Sequence, residues 1–257
     1  MKILCNRPSK GAKALSEALG CKRIKELVKA DIGDLIINWG VGKVSFDYSD
    51  HLINLPDRVR LAVDKAKCFE SLKACSVPTV KFTTIREEAL EFIEEGSKVY
   101  CRTLVASSAG KGIVIANCPD ELVEAKLYTK QAKTLHEVRI HVFLNNSEQG
   151  CDYYCQLKKK LLPETLISRG IVNTIPGIRN TKNGWVFTSR IDSVKSEYLS
   201  EAKDVAYKAI LALGLHFGAA DIIIDEEGHS KVLEINTAPG LETSLPFYVN
   251  NISILNQ

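Results

Sequence analysis

Two apolar runs joined by a short turn restrict the fold of this chain more than any other feature of its sequence. Residues 221–225 and 230–236 are rich in Ile, Val and Leu, and the segment between them contains Gly228. This pattern predicts a β-hairpin. A turn centred just before Gly228 places Asp221 opposite Glu234. Directly opposed residues point to the same face of a sheet.

The polar residues of this hairpin predict a metal site. Asn236 lies two residues beyond Glu234 and therefore shares its face. Two carboxylates and one amide, without nitrogen or sulfur donors, favour Mg²⁺. The alternative is a hairpin whose ends are merely polar, because a one-residue bulge would turn Asp221 to the opposite face.

A loop of small residues, 105–112, lies between two predicted strands and contains Gly110, Lys111 and Gly112. The backbone N–H groups of such a loop can surround phosphates, and Lys111 adds a positive charge. The loop lacks the G-x-x-x-x-G-K-[ST] pattern of a Walker A site. An ordinary hairpin connection is therefore the alternative interpretation.

A third candidate lies in the predicted strand around residue 139. Alternation in a strand puts Glu137, Arg139 and His141 on one face and apolar residues on the other. For His141 the sequence favours a half-exposed strand position without a special role.

Composition excludes several classes of function. The chain is 45% hydrophobic and 25% charged with a net charge of +3, which gives no indication of a nucleic-acid partner. No apolar run has the length of a signal peptide or a membrane span. Eight cysteines without a C-x-x-C pair are typical of a reduced protein, so we expect a cytoplasmic location.

The order of predicted elements favours an α+β fold, because helices and strands mix without a strict βαβ rhythm. A strand at 2–5, a helix at 11–30 and a strand at 35–37 form a small N-terminal β-α-β unit. Asp64 is predicted to cap a helix that runs to residue 74. We expect three domains: 1–60, 61–126 and 127–257.

Together these segments resemble the ATP-grasp superfamily, and most closely its D-alanine–D-alanine ligases and ribosomal-protein glutamate ligases. The resemblance covers roughly residues 60–250 and rests on Asp221-Ile-Ile-Ile followed by Glu234-Ile-Asn-Thr-Ala-Pro-Gly240. It implies an ATP-grasp fold with a small N-terminal α/β domain. It also implies that Asp221, Glu234 and Asn236 hold two Mg²⁺ ions, or Mn²⁺ in their place, between the phosphates of ATP.

The resemblance implies further nucleotide contacts. Lys65 matches a phosphate contact, and Arg102 stands where the family usually has a lysine. Glu137 matches the acid that binds ribose, and Lys158 belongs to a basic strand, 158–160, over the phosphates. The implied phosphate loop includes Ser107, Ser108, Gly110, Lys111 and Gly112, and the implied adenine hinge includes Tyr128, Thr129, Lys130 and Gln131.

The resemblance also implies substrate contacts. Arg139, Arg179 and Asn180 are the candidates for contact with an acyl phosphate or a substrate, and Glu242 and Thr243 lie where related ligases meet their second substrate. The implied partners are ATP, a carboxylate substrate and an amine substrate. Neither nucleic acid nor a membrane is expected.

The implied activity is a carboxylate–amine ligase that forms an amide or peptide bond through an acyl phosphate. Two alternatives stay open: a kinase of the same superfamily that phosphorylates a small molecule, and a non-catalytic ATP-binding module. The sequence does not identify the acid or the amine.

Overall fold

Three β-sheets organise the described part of this protein. They are seen in a computed structural model that describes residues 1–31, 33–45, 51–106, 110–145, 150–171 and 177–255. The predictions for Ser107 and Ser108 lie outside these residues. The mixture of helices and antiparallel and parallel strands confirms the α+β class.

The N-terminal sheet is parallel, with strand order β2-β1-β3-β4. Its elements are β1 (Lys2–Leu4), α1 (Lys10–Ala18), β2 (Lys22–Ile24), β3 (Ile36–Asn38) and β4 (Leu52–Ile53). The predicted helix over 11–30 is wrong beyond Ala18. Gly20 adopts a left-handed φ of 61°, and the following residues pair with β1 as an edge strand.

The middle sheet has the order β5-β8-β6-β7, with antiparallel pairs throughout. The segment up to its last strand contains α2 (Pro56–Val63), α3 (Lys65–Ala74), β5 (Phe82–Thr83), α4 (Arg86–Glu94), β6 (Val99–Arg102), β7 (Ile113–Ala116) and β8 (Leu127–Lys130). Asp64 caps α3 as predicted, because its side chain accepts a hydrogen bond from the Lys67 N–H at 3.3 Å. Strand β8 belongs to this sheet, although the predicted boundary at residue 126 assigns it to the third domain. The division into domains stays a proposal.

The large sheet is antiparallel, with strand order β11-β10-β9-β12-β13. The segment of the chain that forms this sheet contains β9 (His136–Leu144), β10 (Cys151–Lys160), α5 (Pro163–Ser168), β11 (Trp185–Thr188), α6 (Ser196–Ala212), β12 (Phe217–Ile224), β13 (Ser230–Asn236) and α7 (Leu245–Leu255). Short 3₁₀ turns occupy Lys29–Asp31, Pro119–Glu121 and Thr181–Asn183.

The register of the β12–β13 hairpin combines two departures from the predicted one. Near the turn Ile224 pairs with Ser230, so the turn is centred on Glu227, and this register would bring Leu233 opposite Asp221. A bulge between Asp221 and Ile222 adds one residue to β13 and restores the pair Asp221–Glu234. The predicted pair Asp221–Glu234 is therefore confirmed, although neither the shifted turn nor the bulge was predicted.

Burial determines which face of the large sheet is available for a site. Val138, Ile140 and Val142 of β9 are buried in one hydrophobic cluster with Ile222 and Ile224 of β12. Helices α3 and α6 contribute to the same cluster. Because side chains alternate along a strand, this packing turns the intervening residues, Arg139 and Asp221 among them, to the opposite face.

Helix α7 joins the large sheet to the N-terminal sheet. Its Tyr248 packs edge-on against Trp39, with ring centroids 5.3 Å apart, and Trp39 stacks on Phe217 at 5.4 Å. All three rings are buried. Among the described residues, no helix is long and apolar enough to cross a membrane.

Candidate functional site

A cleft of about 850 Å³ lies between the middle sheet and the open face of the large sheet. Most of the predicted site residues line it: Arg102, Gly110, Thr129, Lys130, Glu137, Arg139, Lys158, Arg179, Asn180, Asp221, Glu234 and Asn236. Six cationic side chains among the described residues line the cleft, against four carboxylates. This balance favours a polyanionic ligand.

The acidic corner of the cleft is formed by β12 and β13. Both Asp221 carboxylate oxygens accept hydrogen bonds from Arg139, at 2.7 Å from Nε and 2.9 Å from Nη2. Glu234 accepts a hydrogen bond from Lys65 Nζ at 3.1 Å. Burial alone would raise the pKa of Asp221, but the charge and hydrogen bonds of Arg139 hold that pKa below its usual value. Asp221 is therefore ionised at neutral pH.

The donors of this corner fit an oxygen-ligated divalent cation. Each carboxylate oxygen has a second lone pair, so Asp221 and Glu234 can accept from their cationic partners and still bind an ion. The Asn236 amide nitrogen is buried and has no hydrogen-bond partner among the described residues, so no hydrogen bond from this part of the chain fixes that end of the amide. In the part of the chain that the structure describes, no His or Cys joins these donors to favour zinc or copper over Mg²⁺.

A second cluster with metal-ligating side chains lies at the tip of the same hairpin. It consists of Asp225, Glu227 and His229. Asp225 already accepts hydrogen bonds from the His229 N–H at 2.8 Å and from Lys231 Nζ at 2.8 Å. These bonds close the turn, and Glu227 and His229 are exposed. A structural role in the turn accounts for this cluster.

Glu137 is the centre of a second group of charges in the cleft. Its carboxylate forms ion pairs with Lys158 Nζ and, at 3.5 Å, with Arg179 Nη1. Burial raises the pKa of Glu137, and Lys158 and Arg179 oppose that rise. The two cations also lie over aromatic rings: Lys158 is 5.0 Å from the Phe187 ring centroid, and Arg179 is 4.9 Å from that of Trp185.

Arg102 is a half-buried cation on the opposite wall, and its Nε atom is buried. Its Nε has no hydrogen-bond partner among the described residues, and burial lowers the pKa of its guanidinium. An unpaired buried N–H is costly. Arg102 can therefore gain strongly from an anion that enters the cleft.

Glycines allow the loop after β6 to adopt its shape. Gly110 and Gly112 have left-handed φ values of 77° and 74°. A Cβ at Gly110 would lie 2.9 Å from Ile178, and one at Gly112 would lie 2.9 Å from Leu104. Lys111 is exposed on the same loop.

The end of β8 lines the cleft with Thr129 and Lys130, and the hinge that follows it lines the cleft with Gln131 and Ala132. The side chain of Tyr128, the other predicted hinge residue, is not among those that line the cleft. Its hydroxyl accepts a hydrogen bond from the Ala125 N–H at 2.9 Å and donates to the Val123 carbonyl at 3.2 Å. Only the backbone of Tyr128 remains for a ligand contact.

Several residues that line the cleft were not predicted from the sequence. Gln156 precedes Lys158 by two positions on β10, and Trp185 and Phe187 are two apart on β11. Alternation along these two strands was the signal that could have placed all of them on the face of Lys158. The Phe187 ring lies 4.0 Å from the Arg139 guanidinium carbon, so it helps to hold the cation that binds Asp221.

The prediction of a half-exposed His141 is wrong, because this side chain is completely buried. Its ring packs beside Tyr248, Tyr154 and Phe247. Burial lowers the pKa of His141 to about 4, so the imidazole is neutral at pH 7.

His141 should make the protein less stable in mild acid. Below pH 6.5 an unfolded chain protonates this histidine and the folded protein does not. We expect its contribution to the free energy of unfolding to fall by about 2 to 3 kcal/mol between pH 7 and pH 4.5. Urea unfolding of the wild type and His141→Gln at both pH values measures it, with the exposed His229→Gln as the control. An equal loss of stability in the wild type and His141→Gln would contradict this prediction.

Comparisons with known proteins show the fold. No protein-family model and no curated protein matches the sequence. A D-alanyl-alanine synthetase A from Vibrio cholerae is similar in structure, with 10% identity, a TM-score of 0.68, and coverage of 98% of this chain and 97% of that one. An ATP-grasp RimK domain protein from Sphaerobacter thermophilus has 14% identity and a TM-score of 0.60, and covers 98% and 96%.

A third similar structure was determined with a nucleotide. It is an N5-carboxyaminoimidazole synthetase from Staphylococcus aureus complexed with ADP, with 15% identity and a TM-score of 0.64 over 93% of this chain and 70% of that one. At these identities the likeness establishes the architecture and leaves the reaction open.

Proposed function

We propose that this chain, which has the ATP-grasp fold, is an ATP- and Mg²⁺-dependent carboxylate–amine ligase. The observation that carries the proposal is the position of Asp221, Glu234 and Asn236 on one wall of a cleft that is otherwise rich in cations. A triphosphate with divalent ions needs both kinds of group at once. The solved D-alanyl-alanine synthetase A with the same fold supports the class of reaction.

In this proposal the nucleotide lies across the cleft. Thr129 to Ala132 meet the base through the backbone, and Glu137 accepts hydrogen bonds from the ribose. Arg102, Lys158 and Lys65 bind the phosphates, with the N–H groups of the glycine loop. Mg²⁺, held by Asp221, Glu234 and Asn236, would neutralise phosphate charge and orient the phosphates.

The proposed reaction has two steps. An oxygen of the substrate carboxylate attacks the γ-phosphorus of ATP, the bond to the β-phosphate oxygen breaks, and an acyl phosphate and ADP result. The amine then attacks the acyl carbon, phosphate leaves, and the amine loses a proton. Arg139, Arg179 and Asn180 are the proposed contacts that hold the acyl group and stabilise its negative charge.

Amine-dependent release of ADP tests this function. We expect the wild type with Mg²⁺ and ATP to release ADP only when both a pool of carboxylates and a pool of amines or amino acids are present, and to form an amide detectable by mass spectrometry. A phosphomonoester without free phosphate would indicate the kinase instead. Tight ATP binding without ADP release from pools that include peptide and protein acceptors would indicate a non-catalytic module.

A further inference from the structure

A chain of hydrogen bonds leads from helix α7 through the large sheet to the cleft. Tyr248 Oη lies 3.0 Å from His141 Nδ1, and His141 Nε2 lies 2.9 Å from Gln156 Oε1. Gln156 Nε2 donates to Thr243 Oγ1 at 2.7 Å. Tyr248 and His141 are completely buried, whereas Thr243 is exposed and lines the cleft with Gln156. We refer to these four side chains as the Tyr248–Thr243 chain.

The buried end determines the direction of every bond in the Tyr248–Thr243 chain. Among the described residues, Tyr248 Oη has no other side-chain partner than His141. Its proton must therefore go to His141 Nδ1, since an unpaired buried O–H is costly. The neutral imidazole then carries its proton on Nε2 and donates it to Gln156 Oε1.

Gln156 and Thr243 extend the same direction of donation to the cleft. Gln156 uses its carbonyl oxygen for His141, so its NH₂ group faces Thr243 and donates to Oγ1. The Thr243 hydroxyl therefore keeps its own proton for a partner in the cleft. The reversed chain would have Thr243 donate inward and would leave the Tyr248 proton without an acceptor.

We propose that His141 is a positioning residue that, through Gln156, fixes Thr243 as a hydrogen-bond donor to an anionic oxygen of the bound substrate. The proposal rests on the ligase function proposed above. Gln156 pairs across the sheet with Arg139, which lines the same cleft as Thr243, and a hydroxyl that keeps its proton suits a carboxylate or phosphoryl oxygen. An ammonium group, which only donates, would leave the proton of this hydroxyl without an acceptor.

The tautomer of His141 tests the direction of the hydrogen bonds in the Tyr248–Thr243 chain, and its measurement requires no enzymatic turnover. Two-bond ¹H–¹⁵N correlation spectra of the ¹⁵N-labelled protein at pH 7 distinguish the two neutral tautomers, and the His141→Phe variant identifies the signal. We expect the proton on Nε2. A proton on Nδ1 would mean that these hydrogen bonds run in the opposite direction, which would overturn the proposal but leave the ligase function standing.

Kinetics test the substrate contact. Thr243→Val removes the hydroxyl, and Gln156→Glu replaces the donor to Thr243 with an acceptor of the same shape. We expect each to raise the KM of one substrate about tenfold, with kcat changed much less. Which KM rises, that of ATP, the acid or the amine, identifies the source of the oxygen. Thr243→Ser, which keeps the hydroxyl, should restore most of the affinity.

The combined variant His141→Phe/Thr243→Val separates positioning from a structural role. If His141 acts through Thr243, the double variant has the same KM as Thr243→Val alone. Independent, additive changes in KM, or a wild-type KM in Gln156→Glu, would overturn the proposal. If the wild type releases no ADP with any substrate pool, the ligase function fails and the substrate contact fails with it, whatever the tautomer.

Discussion

Glu234→Gln should lower Mg²⁺-dependent ATP turnover by about 10²- to 10³-fold, the loss typical when one group that stabilises transition-state charge is removed. The amide has the same shape as the carboxylate but no charge for a divalent cation. The side chain is 29% exposed, and Lys65 is its ion-pair partner, so the fold should tolerate the change. ADP release at saturating ATP, and its dependence on Mg²⁺ concentration, measures the effect.

Glu227→Gln is the matched control for this prediction. Glu227 lies on the same hairpin but belongs to the cluster at its tip, so we expect unchanged turnover. A wild-type rate in Glu234→Gln, together with a large loss in Glu227→Gln or Asp225→Asn, would place the metal at the tip and contradict the site proposed here.

Arg139→Met should destabilise the protein by about 3 to 5 kcal/mol, the usual effect of removing one partner from a buried ion pair. Asp221 is only 4% exposed, and without Arg139 its charge has lost both short hydrogen bonds. Methionine keeps much of the side-chain volume, so the loss reports the charge more than the packing. Urea unfolding at pH 7 measures the difference in the free energy of unfolding.

Lys208→Met is the control for Arg139→Met. Lys208 pairs with Asp204 on the surface of α6 at 2.7 Å, and both side chains are more than half exposed. Surface pairs of this kind contribute at most about 1 kcal/mol. A loss below about 1 kcal/mol for Arg139→Met would mean that water or another cation compensates Asp221, and that the pair does not organise the corner.

The chemistry-bearing part of the site follows from local sequence patterns. Alternation along β9 predicts the shared face of Glu137 and Arg139, and the hairpin predicts the pair Asp221–Glu234. The exact register of the hairpin could not be predicted from these patterns. The bulge at Leu233 and the shifted turn compensate each other, and neither is visible in the residue pattern.

Residues that depend on distant packing were not predictable in the same way. The burial of His141 arises from α7, which no sequence pattern indicated. Val249, Ile252 and Ile254 in α7 are β-branched and weak helix formers. The helix is stabilised instead by tertiary contacts of Tyr248 with Trp39 and Phe217, which are far away in the sequence. Local propensity carries no information about such contacts.

The most direct test of the ligase proposal follows oxygen from the acid substrate. The protein is incubated with Mg²⁺, ATP, an amine pool and a pool of carboxylates labelled with ¹⁸O, and the released phosphate is analysed by mass spectrometry. An acyl phosphate formed in the cleft transfers one carboxylate oxygen to phosphorus, so we predict one ¹⁸O atom in each phosphate released, in equal amount to ADP and amide. Release of ADP with unlabelled phosphate, or transfer of the phosphoryl group to a hydroxyl, would contradict the proposal.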